Sequence, residues 1–246
     1  MYNFFIKLEN MRDNLVFIEG ADYNHIKNVL RFKVGEQFLV SIDGKSNLCQ
    51  LKEFSSNQVI AEIIEENYQD TSLPIEIHLF QALPKSDKFE LIIQKAVELG
   101  VEKIIPVQTE RCIVKLDDKK KDGKSARWNA IAESAAKQSK RTSIPKVENA
   151  VTFQNALQLS KELDLLIIAY ENKEGISATK EAFSLIKKGM KVGVIIGPEG
   201  GFSQSEINLA ESFSAKIISL GKRILRTETA SIATLSALML YAEMLV

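Results

Sequence analysis

The sequence predicts an α/β protein in which a mainly parallel sheet domain follows a small N-terminal β-barrel. Three observations carry this reading. Short strand-like runs separated by tight turns fill residues 1–72, and several such strands in succession suggest a barrel. From Ile75 onward apolar runs alternate with amphipathic helices, the pattern of a parallel sheet covered on both faces. Between them, residues 65–74 are polar and end in Pro74, which marks a linker and sets the domains at 1–72 and 73–246.

In the first region, Phe38-Leu39-Val40-Ser41-Ile42 runs into Asp43-Gly44, and Leu48-Cys49-Gln50-Leu51 returns as its partner. Both turn residues tolerate positive φ, so a tight hairpin is expected. Residues 59–64 supply another strand, and a helical turn over residues 22–30 is expected with Asp22 capping its first amides. In the second region strands are expected at 75–83, 103–107, 165–170, 192–196 and 216–220. A helix follows the first of them: Asp87 with Glu90 forms a capping box, Phe89, Ile92, Ile93, Ala96 and Leu99 share one face, and Gly100 ends it. A second helix, residues 126–140, aligns Trp128, Ile131, Ala132, Ala135 and Ala136, leaving Arg127, Glu133, Lys137 and Arg141 polar. The run Lys119-Lys120-Lys121 reads as a solvated loop.

Composition excludes several classes. With 32 basic and 32 acidic residues, a nucleic-acid partner must be held by a local patch. Cys49 and Cys112 belong to no metal-binding or disulfide pattern, and His25 and His78 lack ligand spacing, so no metal is expected and a reducing cytoplasm fits. No signal-peptide pattern and no membrane-length apolar stretch is expected.

The chemistry concentrates in two late loops. Ile195-Ile196-Gly197-Pro198-Glu199-Gly200-Gly201-Phe202 follows one apolar run, and Leu220-Gly221-Lys222-Arg223-Ile224-Leu225-Arg226-Thr227-Glu228-Thr229-Ala230 follows another. Glycines at strand ends let backbone approach a flat ligand closely. Neither loop carries Gly-Lys-Ser/Thr, and no Gly-x-Gly-x-x-Gly follows the first strand, which disfavours an ATPase and a nicotinamide enzyme. An adenosine without phosphates remains, and S-adenosylmethionine fits. A purely structural reading also stands for the first loop, where Ser203 and Glu206 would cap the next helix. Arg223 and Arg226 at a helix N-terminus favour a nearby anion, with Glu228 as the alternative partner.

These loops resemble the signature loops of the bacterial 16S rRNA (uracil N3) methyltransferases, of the trefoil-knotted SPOUT class. Residues 25–31, 94–100 and 133–141 with Ile144-Pro145 resemble the same family, so the likeness covers nearly the whole chain. It implies an N-terminal PUA-like RNA-binding barrel, a knotted C-terminal methyltransferase domain, a homodimer and S-adenosylmethionine as cofactor. By position it assigns the cofactor to Gly197, Pro198, Gly200, Leu220, Gly221, Ile224, Leu225 and Thr229, with Tyr170 and Glu171 at the preceding strand end.

For transfer to uracil N3, Arg226 is the candidate to stabilise the uracil anion, with Glu228 or Glu199 orienting the base or assisting proton removal. Both carboxylates could equally be structural. Backbone contacts to 16S rRNA or the small ribosomal subunit are expected from Lys27, Arg31, Arg111, Arg127, Lys137, Arg141 and Arg223. Two rivals remain at this level: a knotted methyltransferase with another base or ribose target, and a non-catalytic RNA-binding assembly factor.

Overall fold

The computed structural model describes residues 1–85, 88–113, 118–170 and 175–245. Its contacts divide the chain into two units, residues 1–72 with 136–144, and residues 73–135 with 145–246.

In the first unit, strands β1 (Asn3–Phe5), β2 (Met11–Arg12), β3 (Leu15–Glu19), β4 (Gln37–Ile42), β5 (Lys45–Phe54) and β6 (Gln58–Glu65) form one sheet in the order β1-β4-β5-β6-β3-β2. Asp43 and Gly44 close the β4–β5 hairpin at φ 48° and 75°, as the sequence predicts. In the pairing order β1 and β2 stand at the two ends of this sheet. Val16, Ile18, Ile26, Phe38, Val40, Leu51 and Val59 fill its core.

The cap expected at Asp22 is corrected. Helix α1 (Gly20–Asn24) starts after Glu19, which makes no side-chain cap, and a single π turn follows at His25–Val29. Asp22 lies inside the first turn, where its charge suits the helix dipole, and its carboxylate accepts from Lys137 Nζ at 2.9 Å.

The segment 136–144 belongs with this first unit, where the sequence pattern placed it in the second. Asn3 Nδ2 donates to the Arg141 carbonyl at 2.9 Å, and Ser41 Oγ lies 3.3 Å from the same oxygen and 3.1 Å from Asn3 Oδ1. Arg141 is 5% exposed, which corrects its expected place on a solvated face.

The second unit is built on seven strands, every pairing parallel: β7 (Glu76–Ala82), β8 (Val101–Gln108), β9 (Lys146–Val147), β10 (Val151–Thr152), β11 (Leu165–Ala169), β12 (Lys191–Ile196) and β13 (Lys216–Ile218). The order is β10-β8-β7-β12-β11-β13, with β9 also on β8. Around it run α2 (Lys88–Glu98), α3 (Asp118–Gln138), α4 (Phe153–Leu159), α5 (Ser177–Ser184), α6 (Gln204–Ser212) and α7 (Thr227–Glu243). Helix α3 begins earlier than expected and takes the lysine run into its first turn, so that run is helical. Asp87, the expected cap of α2, lies outside the described residues.

Packing follows the predicted stripes. Phe89 of α2 meets Trp128 of α3 edge to face at 4.6 Å between centroids. Gly193 in the middle of β12 is required by close approach, since a Cβ there would strike Leu163 and Leu166. Because β11, β12 and β13 are parallel neighbours, their carboxyl ends open on the same side. In open α/β sheets that edge is where ligands bind.

Candidate functional site

Each loop is fixed by its own local chemistry. After β12, the chain turns through Gly197-Pro198-Glu199-Gly200-Gly201; Gly201 donates back to the Pro198 carbonyl at 2.9 Å and adopts φ 66°. Ser203 and Glu206 then form the predicted capping box of α6. The Phe202 ring lies so close to Gly197 that an added Cβ would sit 2.9 Å from Cε2. After β13, the Thr179 hydroxyl donates to the Ser219 carbonyl at 2.7 Å and accepts the Ser219 amide at 3.1 Å. Gly221 takes φ 101°, turning the chain towards α7.

Between the loops lies a pocket of about 260 Å³ at the ends of β11, β12 and β13. Of the expected cofactor residues, Tyr170, Gly197, Pro198, Leu220, Gly221, Ile224 and Leu225 line it. Gly200 and Thr229 are not in its wall, and Glu171 lies outside the described residues. Gly200 instead packs under Arg111, whose Nη1 donates to the Gly200 carbonyl at 3.0 Å. Ile224 is a large apolar side chain of the pocket wall, 86% exposed.

The charged candidates separate. Arg226, Arg223 and Glu199 line the pocket; Glu228 does not. Arg226 is the N-cap of α7, exposed, and makes no ion pair among the described residues. Glu228 is not the arginines' partner: its Oε2 lies 3.4 Å from Lys88 Nζ, which also stands 3.2 Å from Glu199 Oε1. Burial acts to raise the Glu199 carboxyl. Its own backbone amide, Lys88 and the Lys85 amide outweigh that and hold it below the usual carboxylate range.

The other basic candidates are largely engaged. Arg127 forms a two-point pair with Glu90, Nε to Oε1 at 2.7 Å and Nη2 to Oε2 at 2.9 Å, and Lys137 is bound to Asp22. The buried Arg141 cannot offer its side chain to a phosphate, which corrects that expectation. Lys27 is exposed and donates to Tyr23 Oη at 2.6 Å, Arg31 stands exposed at φ 54°, and Arg223 is exposed at the pocket rim. Among the described residues no group of three potential ligands could hold a metal, and no helix is long and apolar enough to cross a membrane.

Three buried polar residues were missed. Gln81 Nε2 donates to Thr227 Oγ1 at 3.0 Å, Thr227 Oγ1 donates to the Gly197 carbonyl at 2.7 Å, and Ser231 Oγ donates to Gln81 Oε1 at 2.5 Å. One signal could have found them: a glutamine inside the apolar run of a doubly covered parallel strand needs partners.

The family described as RNA methyltransferase domain matches residues 71–239, and the RNA methyltransferase PUA domain matches residues 18–64. A parallel α/β unit with a pocket at its strand ends, preceded by a PUA domain, defines the class of two-domain RNA methyltransferases. Ribosomal RNA small subunit methyltransferase E of Bacillus subtilis (strain 168) is 39% identical over all of this chain and 98% of its own length. A crystal structure of ribosomal RNA small subunit methyltransferase E from Neisseria gonorrhoeae, bound to S-adenosyl methionine, superposes with a TM-score of 0.81 at 30% identity, covering 98% of this chain and 97% of that one. A methyltransferase from Legionella pneumophila, solved with its cofactor SAM, gives a TM-score of 0.81 at 32% identity over 97% of each chain. The chain belongs to the ribosomal RNA small subunit methyltransferase E family.

Proposed function

We propose that this protein transfers a methyl group from S-adenosylmethionine to N3 of a uridine in 16S rRNA of the small ribosomal subunit. The observation that carries it is the pocket at the ends of β11, β12 and β13, walled by glycine-permitted backbone and apolar side chains and flanked by Arg226. That wall suits the cofactor: Leu220, Leu225 and Tyr170 offer apolar surface to an adenine, and the backbone of the two loops offers amides and carbonyls. S-adenosylmethionine, when bound, supplies the electrophilic methyl.

The chain's residues do the rest. Positioning the acceptor nitrogen in line with the methyl is worth up to roughly 7–11 kcal/mol of the barrier. As N3 loses its proton to solvent water, negative charge spreads to the flanking carbonyl oxygens, and Arg226, at the positive end of α7 and without an ion pair among the described residues, answers it. Glu199, held as a carboxylate by Lys88 and the Lys85 amide, is a weak base at neutral pH, so its part is to orient the base. Glu228 steadies Lys88 from the second loop.

Three further features belong to the same reading. Lys27 and Arg31 of the PUA unit, and Arg223 at the rim, contact RNA phosphates, and the target uridine is splayed out to expose its pairing edge. The likeness to the family supports a knotted second unit, and the packing of α7, which follows the edge strand β13, against α2 and β12 is in keeping with it. Leu240 on α7 and Met244 at its C-cap, exposed at 54% and 78%, support a homodimer by offering it an apolar surface, and work on ribosomal RNA is in keeping with a cytoplasmic protein. The test is to incubate the protein and S-adenosylmethionine with undermethylated small subunits and map the product by mass spectrometry. Modification at any atom other than a uracil N3 overturns the assignment.

A further inference from the structure

Gln81 sits near the end of β7, 0% exposed, with every polar atom of its amide engaged. Its Nε2 donates to the Ala82 carbonyl at 3.0 Å and to Thr227 Oγ1 at 3.0 Å; its Oε1 accepts from Ser231 Oγ, which is also 0% exposed. The amide has one workable orientation. Turned over, it would set its oxygen against the Ala82 carbonyl, and two acceptors would face each other in a dry interior.

That orientation propagates. A hydroxyl has one hydrogen, and since Thr227 Oγ1 already accepts from Gln81, its own hydrogen must go elsewhere. It goes to the carbonyl oxygen of Gly197 at 2.7 Å. The chain of donors therefore runs one way, from Gln81 through Thr227 to the peptide that joins Gly197 to Pro198, and that peptide is part of the pocket wall. Phe202 presses on Gly197 from its Cα side, so the peptide is held by packing and by a hydrogen bond. The Gly197 carbonyl is thus turned onto the α7 hydroxyl, and the first loop is set against the helix that carries Arg226.

We propose that Gln81 is a positioning residue for the cofactor: through Thr227 it fixes the Gly197 peptide and thereby the register between the two loops that enclose S-adenosylmethionine. This rests on the function proposed above. Gln81 does not itself line the pocket, so its effect passes wholly through Thr227. Ser231, one helical turn after Thr227, locks the other end of the amide and also donates to the Thr227 carbonyl at 2.9 Å.

The experiment compares Gln81→Met, Thr227→Val and Thr227→Ser by calorimetric titration with S-adenosylmethionine, alongside thermal unfolding. Gln81→Met and Thr227→Val are each expected to weaken cofactor binding about tenfold, the scale of one directed hydrogen bond in a buried network. Thr227→Ser, which keeps the hydroxyl, should recover most of that loss. The double variant Gln81→Met/Thr227→Val should be no worse than Thr227→Val alone, because both cut one chain of bonds. In steady state, KM for the cofactor should rise while kcat at saturation holds, which general loosening of the core would not produce. Should Gln81→Met fail to fold, the valine variant at 227, nearly equal in shape to threonine, and the serine variant, which keeps the hydroxyl, carry the comparison alone. Wild-type affinity in a folded Thr227→Val chain overturns the proposal while leaving the proposed function intact. No binding by the wild-type chain overturns both.

Discussion

Lys88 Nζ lies 3.2 Å from Oε1 of Glu199, so the first turn of α2 is tied to the first glycine loop. The same ammonium reaches Glu228 at 3.4 Å, and one cation thereby holds a carboxylate from each loop. Removing it leaves two partly buried carboxylates without their shared cation. Lys88→Met should lower the melting temperature and weaken cofactor binding together, whereas Lys88→Arg should keep most of both. Unchanged calorimetric affinity in Lys88→Met would show that the tie does not shape the pocket.

Arg226 acts on charge that exists only as the reaction proceeds. Arg226→Ala should slow single-turnover methylation by about 10²–10³, the range for loss of one preorganised charge donor. Cofactor affinity should stay within about twofold, since ground-state binding does not depend on that charge. Equal losses in rate and affinity would assign Arg226 to cofactor binding instead.

Glu199 gives a pH signature with a definite sign. Its folded pKa is depressed, so its contribution to stability is present above the ordinary carboxylate value of about 4.3 and disappears as pH falls through the lower folded value. Lys88, raised chiefly by its bond to Glu199, behaves oppositely: its contribution is lost only as pH rises through a folded value above the ordinary lysine value of about 10.4. The melting-temperature gap between wild type and Glu199→Gln should be constant at neutral pH and shrink in acid below roughly pH 4. A gap that persists undiminished in acid contradicts this.

Two glycines of the pocket separate two physical demands. Gly197→Ala drives a Cβ into the Phe202 ring, an overpacking cost of about 1–3 kcal/mol, and should also weaken cofactor binding by moving the Gly197 peptide. Gly221→Ala meets no atom within 4 Å, but its φ of 101° penalises any side chain, by roughly 1–2 kcal/mol. Thermal unfolding and titration of the pair should therefore differ in their ratio, with Gly197→Ala losing more affinity per degree of stability.

Basic residues can be sorted by salt. Lys27→Ala with Arg31→Ala should reduce the slope of log affinity for small-subunit RNA against log salt by about 1–2, as two phosphate contacts are lost. Arg141→Ala should leave the slope alone and lower stability instead, because its side chain is buried. A slope change from Arg141→Ala with stability intact would reverse that assignment.

Much of this was legible because it is local. The Asp43-Gly44 hairpin, the Ser203–Glu206 capping box and the stripe of Phe89, Ile92, Ile93 and Ala96 rest on neighbours a few residues apart, where pattern and physics coincide. The loops at 197–202 and 219–226 could be found from glycine and strand-end position, and most of their residues line one pocket. What escaped is long-range. The bond from Gln81 to Thr227 spans 146 positions, and the competition for Glu228 was settled by Lys88 on another helix, which no spacing rule reveals. Arg141 failed for the same reason, since its helical phase pointed outward while the chain beyond Lys140, at φ 58°, turned inward.

The carbonyl of Arg141, on which Asn3 and Ser41 converge, has a consequence for biosynthesis. A ribosome that has released residues 1–72 has released all six strands of the PUA unit and none of segment 136–144. Until that later segment emerges, the amide of Asn3 lacks its acceptor while the Ser41 hydroxyl keeps Asn3 Oδ1, and about sixty residues of synthesis, a few seconds at about 5–20 residues per second, separate the two. A fragment cut at the apparent linker would inherit the same defect permanently.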